Sequence, residues 1–201
     1  MIRVICVDIS SAEDELYRRL YENASVPRKC RADRYMRQKD KLRCVTAEAL
    51  LRSILGVTED QIEKNCFGKP YIKARKDVFY NLSHSGRYVV LAWGDTEVGV
   101  DVQQHDPATD RNAIEMRFFA PDEQRYVCGD IGRFYEIWTK KESYLKYTGR
   151  GLRRDLRSFS VLSMEQSLRF FYGTLDDDHS LSLCTVEDEY VFERLDIQQL
   201  R

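Results

Sequence analysis

Two short segments carry residues whose types and spacing suit phosphate chemistry. Residues 98–102 form a short apolar run with one carboxylate, Asp101, near its end. A second run begins at Trp138 and reads Trp-Thr-Lys-Lys-Glu-Ser-Tyr-Leu-Lys; as a helix it places Glu142 and Lys146 on one face, because positions i and i+4 are neighbours there. Two carboxylates suffice for Mg²⁺, which completes its octahedron with water and phosphate oxygens. The two segments therefore predict a magnesium site beside an ammonium group that would hold phosphate.

Three further motifs stand in order around these segments. They are Phe-Gly-Lys-Pro at 67–70, Asn-Leu-Ser-His-Ser-Gly-Arg at 81–87 and Gly-Arg-Gly-Leu at 149–152. Together with the Gly-Val-Asp strand and the Trp-to-Lys helix, they make residues 27–161 resemble the Sfp-like class of 4′-phosphopantetheinyl transferases. The resemblance implies transfer of the phosphopantetheine arm of coenzyme A, the co-substrate, to a serine of an apo acyl or peptidyl carrier protein. Adenosine 3′,5′-bisphosphate would be released.

The resemblance implies a role for each candidate residue. Asp101 and Glu142 would hold Mg²⁺, or Mn²⁺ in its place, and Glu142 would accept the serine proton directly or through water. Gln103 stands where many relatives carry a third acid, so its amide oxygen would ligate the ion, or a water on it, with one negative charge fewer. Lys146 would lie by the pyrophosphate. The residues expected to contact coenzyme A are Arg28, Arg31, Arg43, Lys69, Ser83, His84, Lys141 and Lys146.

Each candidate also has an ordinary structural explanation when it is taken alone. Glu142 would form a surface ion pair with Lys146, worth a few tenths of a kcal/mol, and His84 would cap a turn. Two other functions stay open: a protein that binds coenzyme A or a carrier without catalysis, and a magnesium-dependent hydrolase of nucleotide pyrophosphates. Carrier docking is expected at residues 117–119 and the helix after Pro121. The aromatic residues expected in the core are Phe118, Phe119, Phe134 and Trp138.

Composition is that of an ordinary soluble protein, with 43% apolar and 32% charged residues and a net charge of −1. Basic residues concentrate at 28–43 and 140–157, which suits a polyanionic ligand better than nucleic acid, whose binding domains are usually basic throughout. No segment approaches the ~20 apolar residues that cross a bilayer. Six scattered cysteines and the lack of a signal sequence predict a cytoplasmic protein. No nucleic-acid or membrane partner is expected.

The elements that would position these residues suggest an α+β fold. Strands are predicted near 2–7, 79–82, 88–93, 98–102, 159–162, 168–172, 181–186 and 190–192, the second to fourth as an antiparallel meander. Helices are predicted at 10–21, at 34–55 with Gly56 as the stop, after Thr58, after Pro121 and at 134–147. The resemblance implies two pseudo-symmetric α/β halves, each a small antiparallel sheet with packed helices. They would be residues 1–100 and residues 101–201, the second carrying the metal site, with the cofactor in the cleft between them and the chain a monomer.

Overall fold

The computed structural model describes residues 1–150, 155–164 and 167–200. Its strands are β1 (Ile2–Asp8), β2 (Ile62–Lys64), β3 (Pro70–Ile72), β4 (Phe79–Ser85), β5 (Tyr88–Gly94), β6 (Val98–Gln104), β7 (Arg169–Asp176), β8 (His179–Thr185) and β9 (Tyr190–Asp196). Its α-helices are α1 (Asp14–Asn23), α2 (Val26–Ala32), α3 (Gln38–Leu50), α4 (Arg111–Phe118), α5 (Pro121–Val127) and α6 (Ile131–Thr148). A π-helical turn, Leu51–Leu55, extends α3, and 3₁₀ turns lie at Glu59–Gln61, Leu156–Ser158 and Ile197–Gln199.

The first sheet has the strand order β4-β5-β1-β9 and is covered on both faces. Ile5 and Val7 of β1 face helices α1 and α3 in one apolar cluster, while Val4 and Cys6 face strands β6 and β8 in another. Successive residues of a strand point to opposite faces, so a strand buried on both sides must be apolar throughout. This explains the nearly continuous apolar run at the start of the chain.

The second sheet has the order β6-β8-β7, all antiparallel, and lies between the first sheet and helix α6. Phe134 and Ile137 of α6 join Cys184 of β8 in a third apolar cluster with the buried Phe119. The layers therefore run helices, sheet, sheet, helix. The α+β prediction is confirmed. No helix in the described ranges combines the length and apolar character that a membrane span requires.

Most of the predicted elements are present where local signals were strong. The helix from Gln38 ends at Gly56, whose φ of 69° is left-handed, and Thr58 with Gln61 forms the expected capping box. The meander prediction is wrong at its third strand, because β6 pairs with β8 and not with β5. Residues 159–162 form a turn region and no strand.

The last strand of the chain joins the sheet of the first residues. β9 pairs in parallel with β1, with Ile2 opposite Tyr190 and Asp8 opposite Asp196. The C-terminal segment therefore completes the sheet that carries β4 and β5. The division into pseudo-symmetric halves at residues 100 and 101 stays a prediction.

Candidate functional site

Close packing of α6 against β6 brings the two sequence segments of the candidate site together. Gly99 lies directly under the helix, where a Cβ atom would overlap the carbonyl oxygen of Ser143 and the amide nitrogen of Tyr147. Only glycine allows this approach without displacing helix backbone. The glycine two residues before Asp101 therefore lets α6 present Glu142 and Lys146 to that strand.

The two carboxylate oxygens of Asp101 have different surroundings. The Lys146 Nζ donates to its Oδ1 at 2.6 Å, and the Ser83 hydroxyl donates to the same oxygen at 3.0 Å. Its Oδ2 is buried and, within the described ranges, has no hydrogen-bond partner. A buried carboxylate oxygen without a partner is costly, so a cation or a water at this position would relieve a real penalty.

Glu142 lies on the same side of α6, one turn before Lys146. Burial raises the pKa of Glu142 and repulsion by Asp101 adds to it, while Lys146 opposes the shift. The two carboxylates thus lie close enough for their charges to repel. Gln103 is half-buried and, two positions along β6, shares a strand face with Asp101; its amide nitrogen lies 3.5 Å from the carbonyl oxygen of Gln104.

The residues present fit a hard divalent cation such as Mg²⁺. Carboxylate and amide oxygens are ligands that this ion prefers, and the Oδ2 of Asp101 is buried without a partner in the described part of the chain. The part of the chain that the structure describes contains no cluster of three or more His, Cys, Asp or Glu side chains suited to a metal. If an ion binds beside Asp101, the side chains near enough to hold it are those of Asp101, Glu142 and Gln103, with water or phosphate oxygens completing its shell.

A cleft of about 300 Å³ adjoins Glu142 and Lys146. Its lining joins a loop, strand β4 and the last turns of α6: Phe67, Gly68, Lys69, Pro70, Asn81, Leu82, Glu142, Leu145, Lys146 and Gly149. The loop is fastened to α6, because Lys69 donates from Nζ to the carbonyl oxygen of Tyr147 at 2.8 Å and pairs with Glu97. Asn65 donates to the carbonyl oxygen of Gly149 at 3.2 Å. Residues 151 and 152 of the Gly-Arg-Gly-Leu motif lie outside the described residues.

A basic recess lies at the turn between β4 and β5. His84 is exposed to solvent but lies in a concavity of the protein, where partial burial and then the charges of Arg43 and Lys146 lower its pKa. Arg43 pairs with Asp40 and donates to the carbonyl oxygen of Gly86. An anion bound here would meet a fixed guanidinium and an imidazole able to take a proton.

Two other predicted cofactor residues share one glutamate. Arg28 is buried and its Nε lies 2.6 Å from Glu59, and it also donates to the carbonyl oxygen of Cys44 at 3.3 Å. Arg31 pairs with the same Glu59, and 42% of its side chain stays exposed. Arg31 therefore keeps a surface for phosphate, whereas Arg28 ties α2 to α3 and to the turn after it.

Lys141 lies apart from the other residues that were predicted to contact the cofactor. Its ammonium is completely buried and has three partners: Glu123 at 2.8 Å and the carbonyl oxygens of Leu156 and Phe159 at 2.7 and 2.9 Å. Burial lowers the pKa of Lys141 and raises that of Glu123, and their ion pair counters both shifts. An ammonium has three N–H groups, and these three partners match them one to one. This geometry therefore does not support a phosphate contact.

Ser83 and His84 leave opposite faces of β4, because they are consecutive residues of a strand. The Ser83 hydroxyl points to β6, where it accepts from the amide nitrogen of Val102 at 3.1 Å. The geometry therefore does not support a contact between this hydroxyl and a ligand in the basic recess. Sequence reasoning did not predict that Asn81 and Ser85 also contact β6. The available signal was the alternation of polar residues at 81, 83 and 85, which places all three on one face of the strand.

Comparison with known proteins gives one family. The sequence model described as the 4′-phosphopantetheinyl transferase superfamily matches residues 97–194, just under half of the chain. A 4′-phosphopantetheinyl transferase of Bacillus subtilis is 40% identical over 100 residues, which cover 47% of this chain and 44% of that protein. The transferase Sfp of Bacillus subtilis strain 168 is 32% identical over 66% of this chain and 62% of its own. The transferase psf-1 of Bacillus pumilus is 29% identical over 80% of this chain and 74% of its own. The alignments with the first two relatives thus cover less than two thirds of those proteins.

Proposed function

Because the chain belongs to the 4′-phosphopantetheinyl transferase superfamily, we propose that it moves the phosphopantetheine arm of coenzyme A onto a serine of an apo acyl or peptidyl carrier protein. The observation that supports this most directly is the meeting of Asp101, Glu142 and Lys146 beside a cleft. Two acids and an ammonium at one end of a cleft are what transfer from a pyrophosphate needs.

The proposed reaction is attack by an alcohol on phosphorus. The serine oxygen forms a bond to the β-phosphorus of coenzyme A, the bond from that phosphorus to the bridging oxygen breaks, and adenosine 3′,5′-bisphosphate leaves. The serine proton goes to Glu142, directly or through a water. The raised pKa of Glu142 makes it a better proton acceptor than an exposed glutamate. Lys146 stabilises charge on the phosphate oxygens as they develop it.

Asp101, Glu142 and Gln103 are proposed to hold Mg²⁺, with Mn²⁺ able to replace it. The bound ion would neutralise the pyrophosphate and help to align it with the attacking oxygen. The Asp101 carboxylate suits this role because Lys146 anchors Oδ1, while the buried Oδ2 has no hydrogen-bond partner among the described residues.

For the nucleotide end we propose His84, Arg43 and the exposed part of Arg31. An imidazole beside two cations is a poor place for a positive charge in the free protein, but an arriving phosphate reverses that balance. Arginine binds phosphate through two parallel hydrogen bonds, which fixes orientation as well as charge. Lys69 is proposed to lie along the cofactor with its amine held by the end of α6.

We propose that the chain works as a monomer in the cytoplasm, without nucleic-acid or membrane partners. All three groups of the proposed chemistry come from one chain, so the site needs no second copy. The six cysteines are free, with Cys30, Cys66 and Cys128 exposed, which fits a reducing compartment.

The test is incubation with coenzyme A, Mg²⁺ and a panel of apo carriers, followed by intact-mass measurement of the carrier. Transfer predicts one added phosphopantetheine arm on the carrier serine. A protein that only binds would leave the carrier unmodified, and a pyrophosphate hydrolase would cleave coenzyme A without a carrier.

The matched variant is Asp101→Ala, which removes a proposed metal ligand but little core volume. Loss of transfer by a protein that still folds and unfolds in one cooperative transition is the expected result. Activity within a few-fold of the wild type at saturating Mg²⁺ would contradict the metal assignment.

A further inference from the structure

The two sheets meet at a seam that is made of side chains. Strands β4 and β6 lie side by side, yet in the described part of the chain no backbone ladder pairs them. Instead, alternate side chains of β4 accept hydrogen bonds from alternate amides of β6. The pairs are Asn81 with Val100 at 2.9 Å, Ser83 with Val102 at 3.1 Å and Ser85 with Gln104 at 2.9 Å.

Ser83 differs from the other seam residues because it also reaches the candidate metal site. Its hydroxyl accepts from Val102 and from the Lys146 ammonium, the latter at 2.9 Å, and donates to Asp101 Oδ1 at 3.0 Å. A hydroxyl has one donor and two acceptor positions, so all three are occupied. Nothing remains on this buried group for a cofactor phosphate.

The three bonds constrain both functional neighbours at once. Two donors, Ser83 and Lys146, meet on one oxygen of Asp101, and this fixes the rotation of the carboxylate. The other oxygen is left buried without a partner among the described residues, and the Asp101 carboxylate lies close enough to Glu142 to repel its charge. A free carboxylate turns readily about its terminal torsion. The hydrogen bond from Ser83 thus restricts the rotation of the Asp101 carboxylate, which would otherwise move Oδ2 between several positions.

We propose that Ser83 is a positioning residue that sets the affinity of the site for its divalent cation, acting through Asp101 and Lys146. This inference rests on the proposed function, since it takes Asp101 as a metal ligand. Partners that orient a metal ligand typically change metal affinity by about 10–100-fold when they are removed. Ser83→Ala should therefore weaken metal binding by about 10-fold, the low end of that range, because Lys146 still holds Asp101.

The matched control is Ser85→Ala. Ser85 makes the same kind of bond to a β6 amide but has no contact with Asp101 or Lys146 among the bonds described. Ser83→Thr keeps the hydroxyl and should restore binding. If Ser83→Ala is too unstable to purify, Ser83→Cys replaces it with the same expectation, because a thiol fills the space but is a weak hydrogen-bond partner.

The measurement is Mn²⁺ binding to the protein with coenzyme A and no carrier, read from the electron paramagnetic resonance signal of free Mn²⁺. The proposal expects weaker Mn²⁺ binding in Ser83→Ala, near-normal binding in Ser85→Ala and Ser83→Thr, and an unchanged affinity for coenzyme A without metal. Equal Mn²⁺ affinities for the two alanine variants would overturn it. So would a loss of metal-free coenzyme A binding specific to Ser83→Ala, which would make Ser83 a cofactor contact. Mn²⁺ binding that Asp101→Ala leaves intact would refute the metal site itself, and with it this inference.

Discussion

Replacement of Lys141 by methionine tests whether this lysine supports the fold or binds the cofactor. Methionine fills a similar volume but leaves the Glu123 carboxylate buried without its cation. It also leaves the carbonyl oxygens of Leu156 and Phe159 without the donor that they share. Breaking a buried ion pair on one side costs about 3–5 kcal/mol. A typical domain has only about 5–15 kcal/mol of stability, so the loss should be large.

The assay is urea unfolding of Lys141→Met, Glu123→Gln and the double variant, which together form a thermodynamic cycle. A glutamine side chain carries no charge, so we expect the double variant to be more stable than Lys141→Met alone. The deficit of Lys141→Met should also shrink as the pH falls. Without its cation, the carboxyl of Glu123 has a folded-state pKa even further above its unfolded value, so protonation favours the folded state.

The cofactor affinity gives the opposing outcome. If Lys141 only holds α6 to α5 and to residues 156–159, the loss of its side chain removes no contact with the cofactor. The KM for coenzyme A, measured under conditions where the variant is folded, should then change less than about two-fold. A stability loss below about 1 kcal/mol together with a ten-fold rise in KM would refute the structural role. It would also restore the phosphate contact that the sequence predicted.

Three other substitutions test separate parts of the site. Burial and nearby cations lower the pKa of His84, and a bound anion would raise it, so coenzyme A binding should take up a proton near neutral pH. The affinity for coenzyme A should therefore rise as the pH falls. Calorimetry in buffers of different ionisation enthalpy should show this proton uptake in the wild type and its loss in His84→Asn. Gln103→Glu should lower the Mg²⁺ concentration for half-maximal rate, and an unchanged midpoint, with Asp101→Glu shifting it strongly, would place Gln103 outside the metal site. Gly99→Ala should lower the free energy of unfolding by about 1–3 kcal/mol or more, and should lower kcat, because the added Cβ would push α6 away from β6. Gly173→Ala is the control and should be harmless, because a Cβ there meets no atom within 4 Å. Equal thermal unfolding midpoints for the two variants would contradict the packing argument.

Local signals in the sequence predicted elements well. Gly56, the Thr58 capping box and Pro121 each act within a few residues of the chain, and each marks a helix boundary in the structure. The proximity of Asp101 and Lys146 was also predictable, because the two motifs were recognisable and helical spacing links Glu142 to the lysine.

Strand pairing was not predictable in the same way. The turn signal before β6 is compatible with a hairpin to β5, yet β6 joins β8, which lies far along the chain, and β9 returns to β1. Long-range pairing depends on which apolar faces must be covered, and neither turn chemistry nor strand propensity carries that information. Most strands were therefore predicted correctly, but the neighbour of β6 was not.

The sequence also did not show which charged residues are buried. Lys140 and Lys141 are adjacent, but successive helix positions are turned by about 100°. Lys140 pairs with Glu136 near the surface at 2.5 Å, whereas Lys141 points inward to Glu123. Motif membership alone predicted a ligand role for Lys141. Only the buried glutamate from α5, distant in sequence, shows why a lysine is needed there.

The charge balance of the site gives Gln103 a physical meaning. With Asp101, Glu142 and Lys146 as its ionised groups, the site carries one negative charge before a divalent cation binds and one positive charge afterwards. A glutamate at position 103 would make the loaded site neutral, hold the cation more tightly and attract a pyrophosphate less. If Gln103 lies at the metal site as proposed, its neutral side chain would lower the affinity for the cation and favour attraction of the anionic substrate. On the same proposal, the hydrogen bond from Ser83 would offset part of that loss, because a pre-oriented Asp101 would bind the cation without first losing rotational freedom.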